Sequence, residues 1–440
     1  MAFIRAIGRW TMTALVINCI IGSGIFGLPT ELTRLLGRAS PFAMIFAALG
    51  MAVIMACIAE VASQFSEPGG SYLYVRTAFG HFAGIQIGWF ELLSLTGGLA
   101  AVASLFLNYF TVFLPWPVNT WERSALLAVV IAIPAAVNYL GVRSGAALSN
   151  VMTVAKLSPL VLLVFFGVVR FAREPQMIRA SEIASPGFSN WANAMVLLVF
   201  AFGGWEDGLL ATGEIKEPRR TIPFGLGTGL IACALLYTFL QFITVATIGT
   251  NPTDRPLQDS ASLLLGRSGA IFVTIAILIS TYGWISAAML YGPRLAYSLA
   301  ARGDFPSVFA KLHPRFQTPG IAIAFYALTG WALAASGSFL RVVTLSSASM
   351  IVLYAGVCAA LIRLRKLRPN AEALRIPFGP LLSILAIVIS LVLMTSLRSR
   401  ELSLMCGTAL FATANWLWAR RNHLELETKA KAVAIPLSPP

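Results

Sequence analysis

Long apolar stretches of the chain are interrupted by a few ionisable side chains: Glu60, Glu91, Lys156, Glu206, Asp207 and Arg294. A charge at the centre of a bilayer costs about 2.5–3.5 kcal/mol on insertion scales, so each of these raises a functional question first. Glu60 and Arg294 fall near the expected ends of apolar runs, where snorkelling or a loop ion pair accounts for them. Glu91 lies deeper, with a structural hydrogen-bonding role as the competing reading. Lys156, in Val154-Ala155-Lys156-Leu157-Ser158, has no acid within a helical turn. Its partner must be another helix, unwound backbone carbonyls, or a lost proton, since burial favours neutral lysine. A structural lysine–carbonyl clamp stands beside a coupling role. Glu206 and Asp207 follow a glycine pair; an acid there either faces a cavity, to carry a proton or attract a cation, or caps the positive end of a half-helix. Glu206 has the stronger claim of the two.

Two glycine clusters sit where a continuous helix would want Leu or Ala. The first is Ile20-Ile21-Gly22-Ser23-Gly24-Ile25-Phe26-Gly27-Leu28-Pro29, the second Phe200-Ala201-Phe202-Gly203-Gly204-Trp205. Glycine weakens a helix by about 1 kcal/mol relative to alanine. Backbone groups freed at membrane depth are tolerated only against protein or a water-filled cavity. One cluster alone would read as a close packing face. Two, in corresponding spans of two halves, point to a transporter site between inverted repeats. The match of residues 22–27 to GxGxxG lacks a preceding strand, a βαβ unit and a following acid, so no dinucleotide site is read from it.

The elements that must hold these residues follow from composition. Of 440 residues, 58% are hydrophobic and 11% charged, against about 25% charged in soluble chains. Such a chain belongs in a bilayer, and at about 20 residues per crossing it has room for roughly twelve spans. Apolar segments run near 10–36, 41–65, 79–114, 122–142, 146–170, 189–213, 222–249, 268–300, 319–337, 341–362, 376–397 and 400–419. No separate soluble domain fits between them. The net charge of +14 therefore reads as loop charge that sets orientation. With both termini inside, the larger share of Lys and Arg falls on cytoplasmic loops, as the positive-inside bias requires. Arg5 and Arg9 precede the first apolar run, which continues past Leu28 with no small-residue cleavage site, so it reads as a membrane helix and not a secretory leader. Cys19, Cys57, Cys233, Cys358 and Cys406 all lie in apolar stretches and suggest neither a disulfide framework nor a metal site. The histidines, His81, His313 and His423, lie outside the span centres, which removes Ser–His chemistry and His-ligated metal from the membrane interior. The tail beyond residue 420 reads as a cytoplasmic extension.

Taken together, these motifs resemble the amino acid–polyamine–organocation superfamily of permeases. The resemblance rests on Gly22-Ser23-Gly24-Ile25-Phe26, Pro68-Gly69-Gly70-Ser71-Tyr72, Phe200 to Trp205, Gly213 to Pro223, and Pro293-Arg294 running to Gly303-Asp304-Phe305-Pro306. It implies an all-α polytopic membrane protein with a LeuT-like 5+5 inverted repeat, helices 1 and 6 broken, and two further helices. Residues 10–170 and 189–362 would be the repeats and 376–420 the added pair. It also implies that a substrate α-carboxylate sits on the amides of Ser23, Gly24 and Ile25, as half-helix N-termini favour, and the α-amino group on carbonyls of Ile20, Phe200 and Gly203. Phe200 matches an aromatic gate. Lys156 matches a lysine standing where sodium binds in sodium-coupled relatives. Ser94 and Leu95 are side-chain pocket positions, and Ser286 a neighbour of Lys156. The run 200–205 is similar to neutral amino acid exchangers, whereas an acid at 206 is similar to arginine/agmatine antiporters and cationic amino acid transporters, which leaves the side-chain class open.

The expectation is a sodium-independent amino acid transporter of the plasma (inner) membrane, with protons or a second amino acid as the coupled species and no cofactor or nucleic-acid partner. A polyamine carrier, a transport-inactive nutrient sensor and an intramembrane enzyme using a carboxyl pair such as Glu206 with Glu91 are the alternatives.

Overall fold

The computed structural model describes residues 8–65, 69–141, 146–175, 186–206, 209, 215–369 and 373–433. Pro68, Asp207, Gly213 and Glu214, singled out above, lie outside them. The described residues form helices and no β-strand: α1 (Arg9–Ile20), α2 (Gly24–Gly27), α3 (Pro29–Leu36), α4 (Ser40–Ala62), α5 (Gly70–Phe79), α6 (His81–Phe110), α7 (Thr120–Tyr139) and α8 (Ala146–Arg173), then α9 (Phe188–Phe202), α10 (Pro218–Thr247), α11 (Pro256–Ala301), α12 (Gly320–Ser336), α13 (Phe339–Leu367), α14 (Gly379–Met394) and α15 (Ser399–Val433). Every apolar segment marked in the sequence overlaps at least one of them. Among the described residues, eight helical stretches are long and apolar enough to cross a membrane, and α9, α12 and α14 are shorter apolar helices. The protein is an integral membrane protein.

Local chemistry sets the helix ends. Asn119 caps α7 by accepting from the Trp121 and Glu122 amides while Glu122 accepts from the Asn119 amide, a complete capping box. Gly80, at φ 88°, turns the chain between α5 and α6, a conformation other residues rarely adopt. In α11, Gly266 at φ 70° and ψ −169° divides 256–265 from 267–301. The apolar segment read from the sequence begins only at 268, because the stretch before it carries Asp254, Arg255, Asp259 and Arg267, although helix begins at Pro256.

The interior is built around α6, which packs on α13 and α11, and around α1, which packs on α10 and α8. Buried tyrosines serve backbone carbonyls in it. Tyr109 donates to Phe26 O, Tyr237 to Ile20 O and Tyr326 to Leu95 O, each at 3.0 Å. Gln241 of α10 donates to Pro29 O, Thr33 Oγ1 and Ser40 Oγ, tying down the segment after the first break. Water cannot satisfy such groups in hydrocarbon, so side chains must. Outward, Phe42, Phe46, Leu49, Leu235, Phe239, Leu385 and Leu410 are exposed, as a lipid-facing surface requires.

Ion pairs hold the ends of the bundle. Glu60 accepts from Arg365 Nε at 2.6 Å and Nη2 at 2.7 Å, and from the Ile376 amide at 2.9 Å, in keeping with the ion-pair reading of Glu60. Asp304, wholly buried, accepts from the Tyr72 hydroxyl, with Arg76 Nε at 3.2 Å and His81 Nδ1 at 3.3 Å. Burial and this carboxylate push the Tyr72 phenol well above its usual pKa, so it remains a donor. The Gly-Gly-Ser-Tyr and Gly-Asp-Phe-Pro motifs thus meet at one junction. Glu91 accepts from the Tyr72 amide at 3.2 Å, the structural role weighed for it above.

Candidate functional site

Both glycine clusters break their helices. α1 ends at Ile20, Ile21 leaves the helical region at ψ 83°, and helix resumes at Gly24. α9 ends at Phe202, with Gly203 extended and Gly204 at φ 89°. Hence α9 ends well short of the end of the apolar segment 189–213 that it overlaps.

The two breaks lie against each other. A Cβ on Gly24 would stand 2.6 Å from Ala201 Cα and 2.9 Å from Ala201 Cβ, and one on Gly204 would stand 2.8 Å from Cys19 O. Only glycine permits backbones to approach this closely. Gly27 is also a packing position, against Phe339 and Leu105, so the packing reading of the first cluster holds for part of it. Gly22 differs, having only the Trp284 ring nearby, at 3.6 Å from its Cβ position.

Beside this crossing is a cavity of about 50 Å³, room for roughly four waters. The breaks contribute Ile20, Gly22, Ser23, Gly24, Gly203, Gly204 and Glu206, with Phe200 of α9 and Ser94 and Leu95 of α6. These include most of the residues that the sequence nominated. Ile25 is buried but not part of the lining. The amides of Ser23, Gly24 and Ile25 donate to no acceptor among the described residues, and the buried Ser23 hydroxyl has no partner there either. They form the start of the half-helix running through α2 into α3, an arrangement suited to an anion. The Ile20 carbonyl, by contrast, already accepts from the Tyr237 hydroxyl at 3.0 Å and the Gly22 amide at 2.8 Å. A substrate ammonium there would have to replace one of these bonds.

Lys156 lies outside the lining, buried behind the first break. Its Nζ donates to Asn18 O and Ile21 O, both at 3.4 Å. The carbonyls released by unwinding are thus its partners, one of the three possibilities set out from sequence. Ser286 is not among these partners; its carbonyl accepts from Asn138 Nδ2 at 3.4 Å. Glu206 sits at the second break. Its carboxylate lines the cavity, takes backbone hydrogen bonds at Gly204 and Glu206 itself, and accepts from the Tyr354 hydroxyl at 3.1 Å through either oxygen.

Comparison with known proteins gives the family. A family profile described as amino acid permease matches residues 7–411, nearly the whole chain. The chain belongs to the amino acid permease family, in the amino acid–polyamine–organocation superfamily. Among similar proteins of Bacillus subtilis (strain 168), the serine/threonine exchanger SteT is 28% identical over 429 residues, 92% of this chain and 95% of SteT. The methylthioribose transporter is 27% identical over 451 residues, 96% and 94% of the two chains. The branched-chain amino acid permease BcaP is 28% identical over 421 residues, 89% and 88%.

The permease has site residues that sequence reasoning did not nominate. Cys19, Gly98, Val102, Trp284, Ser346 and Met350 complete the cavity wall, and Tyr237 and Tyr354 hold its backbone and its acid. Trp284 spans from the first break to α6: its Cη2 lies 3.2 Å from the Cβ position of Gly98. The phenols and the indole were visible as polar aromatic groups inside apolar runs. Ser346 and Met350 carried no such signal.

Proposed function

We propose that this permease moves amino acids by sodium-independent alternating access, by proton symport or amino acid exchange, around a site at the two helix breaks. The observation that carries this reading is the row of amides at Ser23, Gly24 and Ile25, without an acceptor among the described residues, beside a cavity made where the breaks touch. A carboxylate is the natural ligand for such amides, and a polyamine offers none. The α-ammonium then faces the carbonyl side, Phe200 and Gly203, with Ile20 joining if Tyr237 releases it. Phe200, half-buried at the cavity edge, is placed to close over substrate.

Lys156 bears on the coupling ion. A sodium ion in this position would require oxygen ligands, and its ammonium already engages Asn18 O and Ile21 O. Lys156, with Glu206 on the opposite break, therefore takes the coupling role. The serine/threonine exchanger named among the relatives favours the exchange arm. The scaffold that suits this mechanism is the LeuT-like 5+5 repeat, residues 10–170 against 189–362, with 376–420 as the added pair and both termini cytoplasmic.

The test is uptake of a panel of labelled amino acids into proteoliposomes, with and without sodium, a pH gradient or internal amino acid. Flux that needs internal amino acid identifies exchange; gradient-driven net uptake identifies symport. Putrescine uptake without amino acid uptake would replace this reading with the polyamine one.

A further inference from the structure

The substrate's side chain must occupy the part of the cavity away from the breaks, where α6, α11 and α13 supply the wall. Gly97 lets α13 approach: a Cβ there would be 3.1 Å from Ser346 Cβ. This brings Ser346 onto Ser94, both of them buried and both lining the cavity. Ser346 Oγ donates to the Ser94 carbonyl at 2.9 Å, and the two hydroxyl oxygens stand 3.3 Å apart. A hydroxyl has one hydrogen and two lone pairs. With the Ser346 hydrogen committed to the carbonyl, the long contact to Ser94 is the weaker of the two bonds, and Ser94 keeps acceptor capacity for a group in the cavity.

The rest of that wall limits size. Leu95, Val102, Met350 and Trp284 are bulky and apolar, and the Trp284 ring lies over Gly98. The cavity is small, about 50 Å³, which favours a short side chain.

We propose that the Ser94–Ser346 pair is a side-chain selector that makes small hydroxyl-bearing amino acids the preferred substrates of this permease. This rests on the amino acid transport reading and adds the substrate class to it. Threonine and valine give the sharpest comparison because they differ by a hydroxyl in place of a methyl. In this pocket the threonine hydroxyl donates to a free lone pair of Ser94 while the Ser94 hydrogen stays on Ser346 Oγ, so a bond is added and none is lost. The valine methyl covers the Ser94 lone pairs and returns nothing. One net hydrogen bond corresponds to a preference of about tenfold.

The experiment measures uptake of threonine and valine, and in parallel serine and alanine, by the full-length protein in proteoliposomes. Thermal unfolding in detergent with each amino acid supplies a second readout. Wild-type protein should prefer threonine over valine by about tenfold, and leucine and phenylalanine should be poorer still. In Ser94→Ala the ratio should fall towards one; this variant retains the carbonyl that Ser346 donates to, so its fold is preserved. Ser346→Ala, checked by its own melting curve, should shift the ratio in the same direction. Equal handling of threonine and valine by wild type, or a threonine preference unchanged in both variants, would overturn the selector while leaving amino acid transport intact. Absence of both flux and thermal shift with every amino acid would instead remove the transport reading, and the selector with it.

Discussion

Replacing Gly24 by alanine puts a methyl group into the contact between the two breaks. The added Cβ would stand 2.6 Å from Ala201 Cα, whereas carbon atoms in contact prefer about 3.5–4.0 Å. The neighbour is backbone, so no rotamer change relieves the overlap, and the half-helices must separate by about 1 Å. Overpacking of this kind costs about 1–3 kcal/mol. The functional effect should be larger, because the amides proposed to hold the carboxylate move with Gly24; misplacement of reacting groups by about 1 Å is enough for roughly a 100-fold loss in enzymes. The assay pairs initial uptake rates in proteoliposomes with thermal unfolding in detergent. Gly24→Ala should lower the unfolding midpoint modestly and reduce uptake by at least an order of magnitude. Gly22→Ala is the companion: its Cβ would meet only Trp284 Nε1, at 3.6 Å, an ordinary contact, so it should melt like wild type. Wild-type uptake and stability in Gly24→Ala would refute the idea that the breaks meet at this glycine.

Other predictions address the groups around the site and at the bundle ends. Lys156→Ala removes two long charge-assisted bonds to Asn18 O and Ile21 O, worth on the order of 2 kcal/mol together. It should abolish transport in protein that still elutes as a folded species, and full activity would return Lys156 to a structural clamp. Tyr72→Phe leaves buried Asp304 without its phenol donor and should lower stability by about 1.5–3 kcal/mol, as for hydrogen bonds to charged groups, read from thermal or denaturant unfolding. Glu60→Ala strands Arg365, which keeps only its bond to Ile376 O; loss of a buried pair partner costs about 3–5 kcal/mol, and unchanged melting would show that this clamp carries no load.

What could be read from the sequence was what stood out against an apolar background. Glycines at 22, 24, 203 and 204 are expensive in a helix, and Lys156 and Glu206 are expensive in a membrane, so their presence alone located the breaks, the cavity and the groups around it. Apolar runs gave the positions of the helices but not all their limits: Gly203 stops α9 inside the segment 189–213, and the helical stretch 256–265 before Gly266 lies outside any apolar run. Ser346 and Met350 were not legible because apolar and small residues are ordinary in a span, and hydropathy does not say which face of a helix meets the cavity. The partners of Glu60 and Asp304 were hidden for another reason. Arg365 is 305 positions from Glu60, and Tyr72 is 232 from Asp304, so only the fold brings them together. Glu91, which stood out equally as a charge, proved to accept from the backbone of Tyr72, showing that an intramembrane acid is a question and not yet an answer.

The central claim, an amino acid carrier with lysine in place of sodium at the first break, is tested most directly by one measurement. Purified protein in sodium-free proteoliposomes preloaded with unlabelled serine is given labelled serine outside, and uptake is followed with and without added sodium. The account predicts saturable uptake that is the same in both conditions and absent from Lys156→Ala vesicles. Uptake that appears only when sodium is added would contradict it.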